Sequence, residues 1–225
     1  MARKKPVRAH ALAPSDTQTP TIIEFILDET LSMNGQRGER KIATINGFND
    51  FLGQQRGQPG LCLMTLTKFD SGRGQSTPYT DLDVNMVPDL RTETFLPGGS
   101  TNLKDTIVQR MTAVRGRIST WTVQPKVLLV IMTDGEDNCS KFTDAQVRQT
   151  ITDTMERDQW AVVYLGAHSQ ALSVAMDYGI PSGNAKQFTD SEIRSTMSDL
   201  SAATKAYRAT ATTSSSDFFH AAAQG

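Results

Sequence analysis

The sequence predicts an α/β domain: a doubly wound, mostly parallel central sheet with one antiparallel edge strand and helices on both faces. Three observations predict it. Short apolar runs alternate along the chain with segments whose apolar residues recur at helical spacing, the pattern of βαβ units. One run, KVLLVIMTD from Lys126, is apolar almost throughout, as a parallel strand covered on both faces should be. Residues 75–95 alternate only loosely and contain Pro78 and Pro88. That suits an edge strand or hairpin, because proline cannot donate to a ladder.

In chain order, residues 1–20 hold four Lys/Arg, three Pro and almost no large apolar side chain, and are expected to form a basic extended arm. The domain is expected over 21–208, followed by an Ala/Ser/Thr-rich tail over 209–225. TIIEFILD from Thr21 reads as the first strand. In QRGERKIATINGFNDFLGQQ, the residues Ile42, Ile45, Phe48 and Leu52 fall at helical spacing. LCLMTLTKFD is the second strand. Gly98 and Gly99 then lead into a helix with Leu103, Ile107, Met111, Val114 and Ile118 on one face, and Asn102 and Asp105 suit its cap and first turn. Thr143 with Gln146 forms a capping box for a helix through Met155. WAVVYLG is a further strand, and SQALSVAMDYG a helix stopped by glycine. Thr189 with Glu192 caps a last helix to about Arg208. Phe218 and Phe219 stand out in the polar tail, as a docking peptide or a sticky end. Arm and tail otherwise hold too little apolar surface to offset the entropy of ordering, and folding is expected not to need them.

Composition narrows the function. With 225 residues, 38% hydrophobic and 21% charged, the chain suits one domain with a sizeable core. A formal charge of -1 supplies no basic field for nucleic acid. No apolar run approaches the roughly 20 residues that span a bilayer. The basic N-terminus lacks the apolar stretch of a secretory signal. The expectation is no membrane partner and a cytoplasmic protein, or a virion component if phage-encoded. Cys62, in an apolar run, and Cys139, in a polar loop, read as free thiols. The scattered His10, His168 and His220 offer no zinc set.

Sheets of this kind bind ligands beyond the carboxyl ends of their parallel strands. Three segments bring oxygen to that edge. FILDETLSMNG ends an apolar run with Asp28, Thr30 and Ser32, spaced two apart; Ser100 and Thr101 follow the glycine pair; Asp134 comes directly after KVLLVIMT, before Gly135, Glu136 and Asp137. Either aspartate alone would read as a strand terminator. Together, carboxylates and hydroxyls without imidazole or thiolate suit a hard divalent cation. Mg2+, which keeps several of its waters, needs few protein ligands. Ser100 reads as a spacer, Glu136 and Asp137 as a solvated loop edge adding negative potential, and His168 as a polar rim residue. Asp105 reads as a first-turn residue that also orients the Thr101 loop from behind.

D-x-T-x-S-M, G-G-S-T and T-D-G-E, in this order and on these elements, resemble the von Willebrand factor A domain, in which they form the metal-ion-dependent adhesion site. The resemblance covers about Thr21 to Arg208. It looks closest to small stand-alone A-domain proteins of bacteria and phages, which carry stretches similar to FLPGGSTNLKDTI, TDGEDN, VVYLGAHSQA and LSAATKAYR. It implies a metal held by Asp28, Thr30, Ser32, Thr101 and Asp134, with Mg2+ as the ion and Mn2+ or Ca2+ as alternatives. Ser32 is the usual direct ligand, Thr30 is direct in only some members, and the aspartates bind directly or through water. The resemblance also implies that Thr101 moves toward the metal as Asp134 retreats behind water. Leu31 departs from the pattern, since glycine is commoner there, and it could crowd the face a partner approaches. His168 stands where close relatives often have asparagine.

Three functions compete. The first is a non-enzymatic adhesion or adaptor module whose Mg2+ coordinates an Asp or Glu of a protein partner, within a larger bacterial or phage assembly. The second is a metal-dependent phosphatase or hydrolase. Haloacid dehalogenase phosphatases also place an Asp after their first strand, but need another Asp two positions on, where this chain has Thr30. No Ser-His-Asp or Cys-His arrangement replaces it. The third is a purely structural virion or assembly subunit, joined to its neighbours through arm and tail. The first is the expectation, with the third as its context.

Overall fold

The apolar runs become the strands of one sheet. In the computed structural model, which describes residues 19–210 and 216–220, these are β1 (Thr21–Asp28), β2 (Cys62–Asp70), β3 (Gly74–Asp83), β4 (Lys126–Thr133), β5 (Ala161–Gly166) and β6 (Ala185–Gln187). They lie in the order β3-β2-β1-β4-β5-β6. Every pairing is parallel except that of β3 with β2, so the expected antiparallel edge is β3. Pro78 sits within it, and its pairing with β2 slips twice, between Met64 and Leu66 and between Leu66 and Lys68. Residues 84–95 do not extend this strand. The basic arm over 1–18 and the tail segments 211–215 and 221–225 lie outside the described residues.

β1 and β4 are buried at every position because helices cover both faces. Alternate side chains of β1 go to opposite cores. Ile23, Phe25 and Leu27 pack with α1 (Glu39–Gln55) and α5 (Ile193–Ala209), through Phe48, Phe51, Met197 and Leu200. Ile22 and Ile26 pack with α2 (Leu103–Ile118) and α3 (Asp144–Arg157), through Ile107, Met111, Val147 and Ile151; α4 (Ala171–Asp177) adds Ala171 and Ala175 on that side. The Phe25 ring stands edge-on to Phe48 at 5.2 Å and to Phe51 at 6.0 Å. Both capping boxes form, Thr143 with Gln146 and Thr189 with Glu192, the second opening a 3-10 turn ahead of α5.

Two expectations need correction. Ile42 does not join the buried stripe of α1: it is 46% exposed, and Ile45, Phe48, Phe51 and Leu52 pack instead. The tail after Ala209 is not without structure at 216–220. Phe218 is buried, its N–H donates to Asn184 Oδ1 at 2.8 Å, and its ring lies 5.8 Å from that of Tyr207. Phe219 N–H donates to Gly183 O at 3.2 Å, and Lys186 Nζ lies 4.9 Å above the Phe219 ring. Two aromatic side chains thus do what the Ala, Ser and Thr around them cannot. Phe218→Ala is expected to destabilise the domain by about 3 kcal/mol, the usual cost of emptying a phenylalanine site. Urea denaturation measures this, and a change under about 0.5 kcal/mol would mean the tail contributes nothing to folding. Among the described residues no helix is long and apolar enough to cross a membrane.

Candidate metal centre

β1 and β4 pair in register from Thr21 opposite Lys126 to Leu27 opposite Met132, so their carboxyl ends leave the sheet together. The strand order departs in opposite directions from this pair, toward β2 and toward β5, which opens a crevice between the loops that follow. Asp28 stands at the end of β1 and is 0% exposed. Its Oδ1 accepts the Thr30 N–H at 2.8 Å and its Oδ2 accepts the Thr133 hydroxyl at 2.6 Å. Burial pushes its pKa up to about 6, against the pull of those hydrogen bonds. Asp134 follows β4 directly. Its Oδ1 accepts the Ser32 hydroxyl at 2.7 Å, and the Ser32 and Thr30 hydroxyl oxygens lie 3.2 Å apart. Thr101 is buried. A Cβ placed on Gly135 would lie 3.3 Å from Thr101 Oγ1 and 3.7 Å from Ser32 Oγ, so both hydroxyls border the same small space, which a side chain there would fill. Asp28, Thr30, Ser32, Thr101 and Asp134 therefore converge from three loops.

The second and third loops hold each other. Asn102 occupies the cap position of α2, yet its side chain makes no capping hydrogen bond, contrary to expectation. The loop after β4 supplies the cap instead: Lys104 N–H donates to Asp137 Oδ2 at 2.9 Å and Asp105 N–H to Ser140 Oγ at 3.1 Å. Thr101 N–H donates to Asn138 Oδ1 at 3.0 Å. In return Asp105 Oδ1 accepts the N–H groups of Lys141 at 2.8 Å and Phe142 at 3.0 Å. Asp105 thus holds the loop after β4, whose Asn138 in turn takes the Thr101 N–H. Asp137 is no solvated edge: its side chain is 5% exposed and spent on backbone donors. Glu136 is exposed.

The chain also resembles solved structures. A proximal thread matrix protein from the mussel byssus superposes with a TM-score of 0.57 at 13% identity, over 83% of this chain and 46% of that one. The von Willebrand factor domain of the type V pilus tip protein Mfa5 from Porphyromonas gingivalis gives 0.60 at 10% identity, over 83% of this chain and 95% of that one. The pilus adhesin SpaC from Lactobacillus rhamnosus GG gives 0.62 at 12%, over 83% and 30%. The fold is that of a von Willebrand factor A domain. The chain spans about half the length of the mussel protein, of which a further structure has zinc in its metal-ion-dependent adhesion site motif. No protein-family model matches the sequence, and no curated protein does.

Several residues that shape this edge of the sheet carry no obvious signal in the sequence. Glu29, buried beside Asp28, takes Lys68 Nζ at 2.7 Å and the Leu96 N–H at 2.7 Å. Asp70 ends β2 and accepts Gly72 N–H, Arg73 N–H and Arg73 Nε, each at 2.7 Å. Gly99 has φ 70°, and a Cβ on it would lie 2.7 Å from Asp70 Oδ1, so only glycine lets the Thr101 loop lie on this turn. Arg40, at the start of α1, donates from Nε to Asp190 Oδ1 at 2.6 Å and from NH1 to Asp134 Oδ2 and, at 3.3 Å, to Ser32 O. Arginine in a helix's first turn runs against the dipole, which was the one clue available. On the rim, Leu31 is 66% exposed and Leu96 49%. His168 Nε2 lies 3.4 Å from the Tyr164 hydroxyl, and burial lowers its pKa. Cys62 is buried and Cys139 exposed, both free.

The donor set fits a hard cation. Among the described residues no group of three or more His, Cys, Asp or Glu side chains is placed to hold a metal ion. An ion held here would meet two carboxylates and neutral hydroxyls, with Arg40 against Asp134 offsetting one of the negative charges.

Proposed function

We propose that this A domain is a metal-dependent protein-binding module, with Mg2+, or alternatively Mn2+ or Ca2+, held by Asp28, Thr30, Ser32, Thr101 and Asp134. The observation that carries the reading is the convergence of these side chains around the space beside Gly135. When bound, such an ion supplies a coordination position that an Asp or Glu of a partner can take. The chain's own residues do the rest. Thr133 and the Thr30 N–H fix the orientation of Asp28, and the brace between Asp105 and the loop after β4 fixes Thr101. Exposed Leu31 and Leu96 offer apolar contact to a partner. Exposed Glu136 repels a generally acidic surface, so the partner should present a single Asp or Glu on a neutral or basic one. Direct coordination at close range outweighs that screened repulsion.

A non-enzymatic role is supported by the chemistry. Thr30 stands where a haloacid dehalogenase phosphatase would need its general acid, and it is a hydroxyl hydrogen-bonded to Ser32. The structural neighbours are a matrix protein, a pilus tip protein and a pilus adhesin. A larger bacterial or phage assembly, in the cytoplasm or a virion, is the context we propose.

Pull-down from the native host or particle, with Mg2+ and with EDTA, tests this. The partner should be lost in EDTA. Thr101→Ala should weaken partner binding on the order of ten-fold while leaving Mg2+ affinity largely unchanged, because both aspartates remain. A partner kept equally well in EDTA would place the interaction on another face and leave the metal a structural role.

A further inference from the structure

We infer that Arg40 is an internal counter-cation of the metal centre: it pairs with Asp134 and must release it when a divalent cation enters. The inference rests on the metal reading proposed above and concerns how that site is regulated.

The geometry is that of a placed competitor. The Asp134 side chain is 0% exposed while that of Arg40 is 22% exposed, so a buried carboxylate has its counter-charge delivered from the solvent side. Both Asp134 oxygens are committed, Oδ1 to the Ser32 hydroxyl and Oδ2 to Arg40 NH1. An ion that takes Asp134 must displace one of these donors. A hydroxyl can turn and present its lone pairs to a cation; a guanidinium has no lone pair to offer. Arg40 is therefore the group that must move.

Its position is built rather than accidental. Gly35 has φ 64°, and a Cβ there would lie 2.6 Å from Arg40 Cβ and 2.9 Å from Arg40 N. Loop 31–35 can thus close over the start of α1 only with glycine at that point. From the far side Asp190, in the turn before α5, holds Nε. One planar fork serves two carboxylates from separate nitrogens, Nε to Asp190 and NH1 to Asp134, in a fixed geometry that a lysine's single ammonium lacks. Arg40 also has somewhere to go. It borders an open groove of about 550 Å³ lined by Leu31, Asn34, Gln36, Glu39 and Asp190. There the guanidinium can keep Asp190 and gain exposed Glu39 while leaving Asp134.

The consequence is electrostatic. Asp28 and Asp134 together carry two negative charges when ionised, and Arg40 offsets one. A divalent ion arriving while Arg40 stands in contact with Asp134 meets its repulsion, and arriving after Arg40 turns away meets the cost of breaking that pair. Either route weakens metal binding and ties it to Asp190, on a loop that supplies no ligand.

The test is calorimetric Mg2+ titration and thermal melting in EDTA of the wild type, Arg40→Gln, Arg40→Lys and Asp28→Ala. Arg40→Gln should bind Mg2+ on the order of ten-fold more tightly, the scale of a repulsion removed at close range in a wet site, yet melt lower in EDTA. Arg40→Lys keeps the charge and should stay near the wild-type affinity. A merely structural Arg40 would lower both readouts, and equal or weaker Mg2+ binding by Arg40→Gln overturns the inference while Asp28→Ala remains without binding. In the wild type, the Arg40 side-chain NMR resonances should shift on Mg2+ saturation; unmoved resonances overturn it as well. No binding by the wild type or by Arg40→Gln, both folded, removes the metal reading itself and the inference with it.

Discussion

Asp28→Asn is expected to abolish Mg2+ binding and, at pH 7 without metal, to raise stability by on the order of 2 kcal/mol. The two effects have one cause. Asp28 is fully buried, and burial lifts its pKa to about 6 despite hydrogen bonds from Thr133 and Thr30. The unfolded chain ionises the same group near pH ~4. Folding therefore binds the proton more tightly, and stability from this group is complete below about pH 4, falls as pH rises toward 6, and stays reduced above that. Asparagine has no charge to bury, so the variant's stability in EDTA should fall less with rising pH than the wild type's, what decline remains coming from groups such as buried Glu24. Mg2+ is expected to reverse the penalty by holding the carboxylate ionised, and only in the wild type. Asp134→Ala should also abolish Mg2+ binding, but without the gain in stability, because it strips Arg40 and Ser32 of their shared partner. Calorimetric titration and melting from pH 4 to 8 read all of this. Wild-type Mg2+ affinity in both variants would sink the site; an Asp28→Asn protein that melts lower at pH 7 would show that the buried charge costs nothing.

These two aspartates show what a sequence can and cannot tell about such a site. Asp28 and Asp134 were legible because each follows an apolar strand directly, and parallel strands leave a sheet at the same edge. Thr30, Ser32 and Thr101 were legible from their nearness to those ends and to the glycine pair. Arg40 was not, since its partners Asp134 and Asp190 lie 94 and 150 positions away, and its place in a first helical turn names neither of them. Asp70 sits at the end of β2 as Asp28 does at the end of β1, but its carboxylate faces its own turn, where it holds Gly72 and Arg73. Position after a strand nominates a carboxylate; the loop beyond decides which way it turns. The element pattern suffered from the same cause at its margins. β6, three residues long, is too short for any periodicity to show. Asn102 looked like a helix cap by type, and lost that role to Asp137 because the neighbouring loop arrives with a charged acceptor.

Glu24→Ala is expected to cost about 3 to 5 kcal/mol, the range for removing one partner of a buried ion pair. Glu24 lies in the middle of β1 with 0% exposure, where an apolar side chain would be the default. It is tolerated because α2 brings two arginines down to it: Arg110 Nε donates to Oε1 at 2.8 Å and Arg117 NH2 to Oε2 at 3.2 Å. Burial still raises its pKa against both arginines, so the cluster is held together by mutual need more than by net gain. Removing the acid alone leaves Arg110, 13% exposed, with its charge half-desolvated and unanswered. Arg117 suffers less, since its Nε lies 2.6 Å from Asp81 Oδ2. The double variant Glu24→Met, Arg110→Met should therefore recover much of what Glu24→Met loses, because the pair is replaced by apolar atoms of similar length. Urea denaturation of the two singles and the double gives the coupling. If the losses simply add, Arg110 owes nothing to Glu24, and Arg117 is left to hold the acid buried in β1.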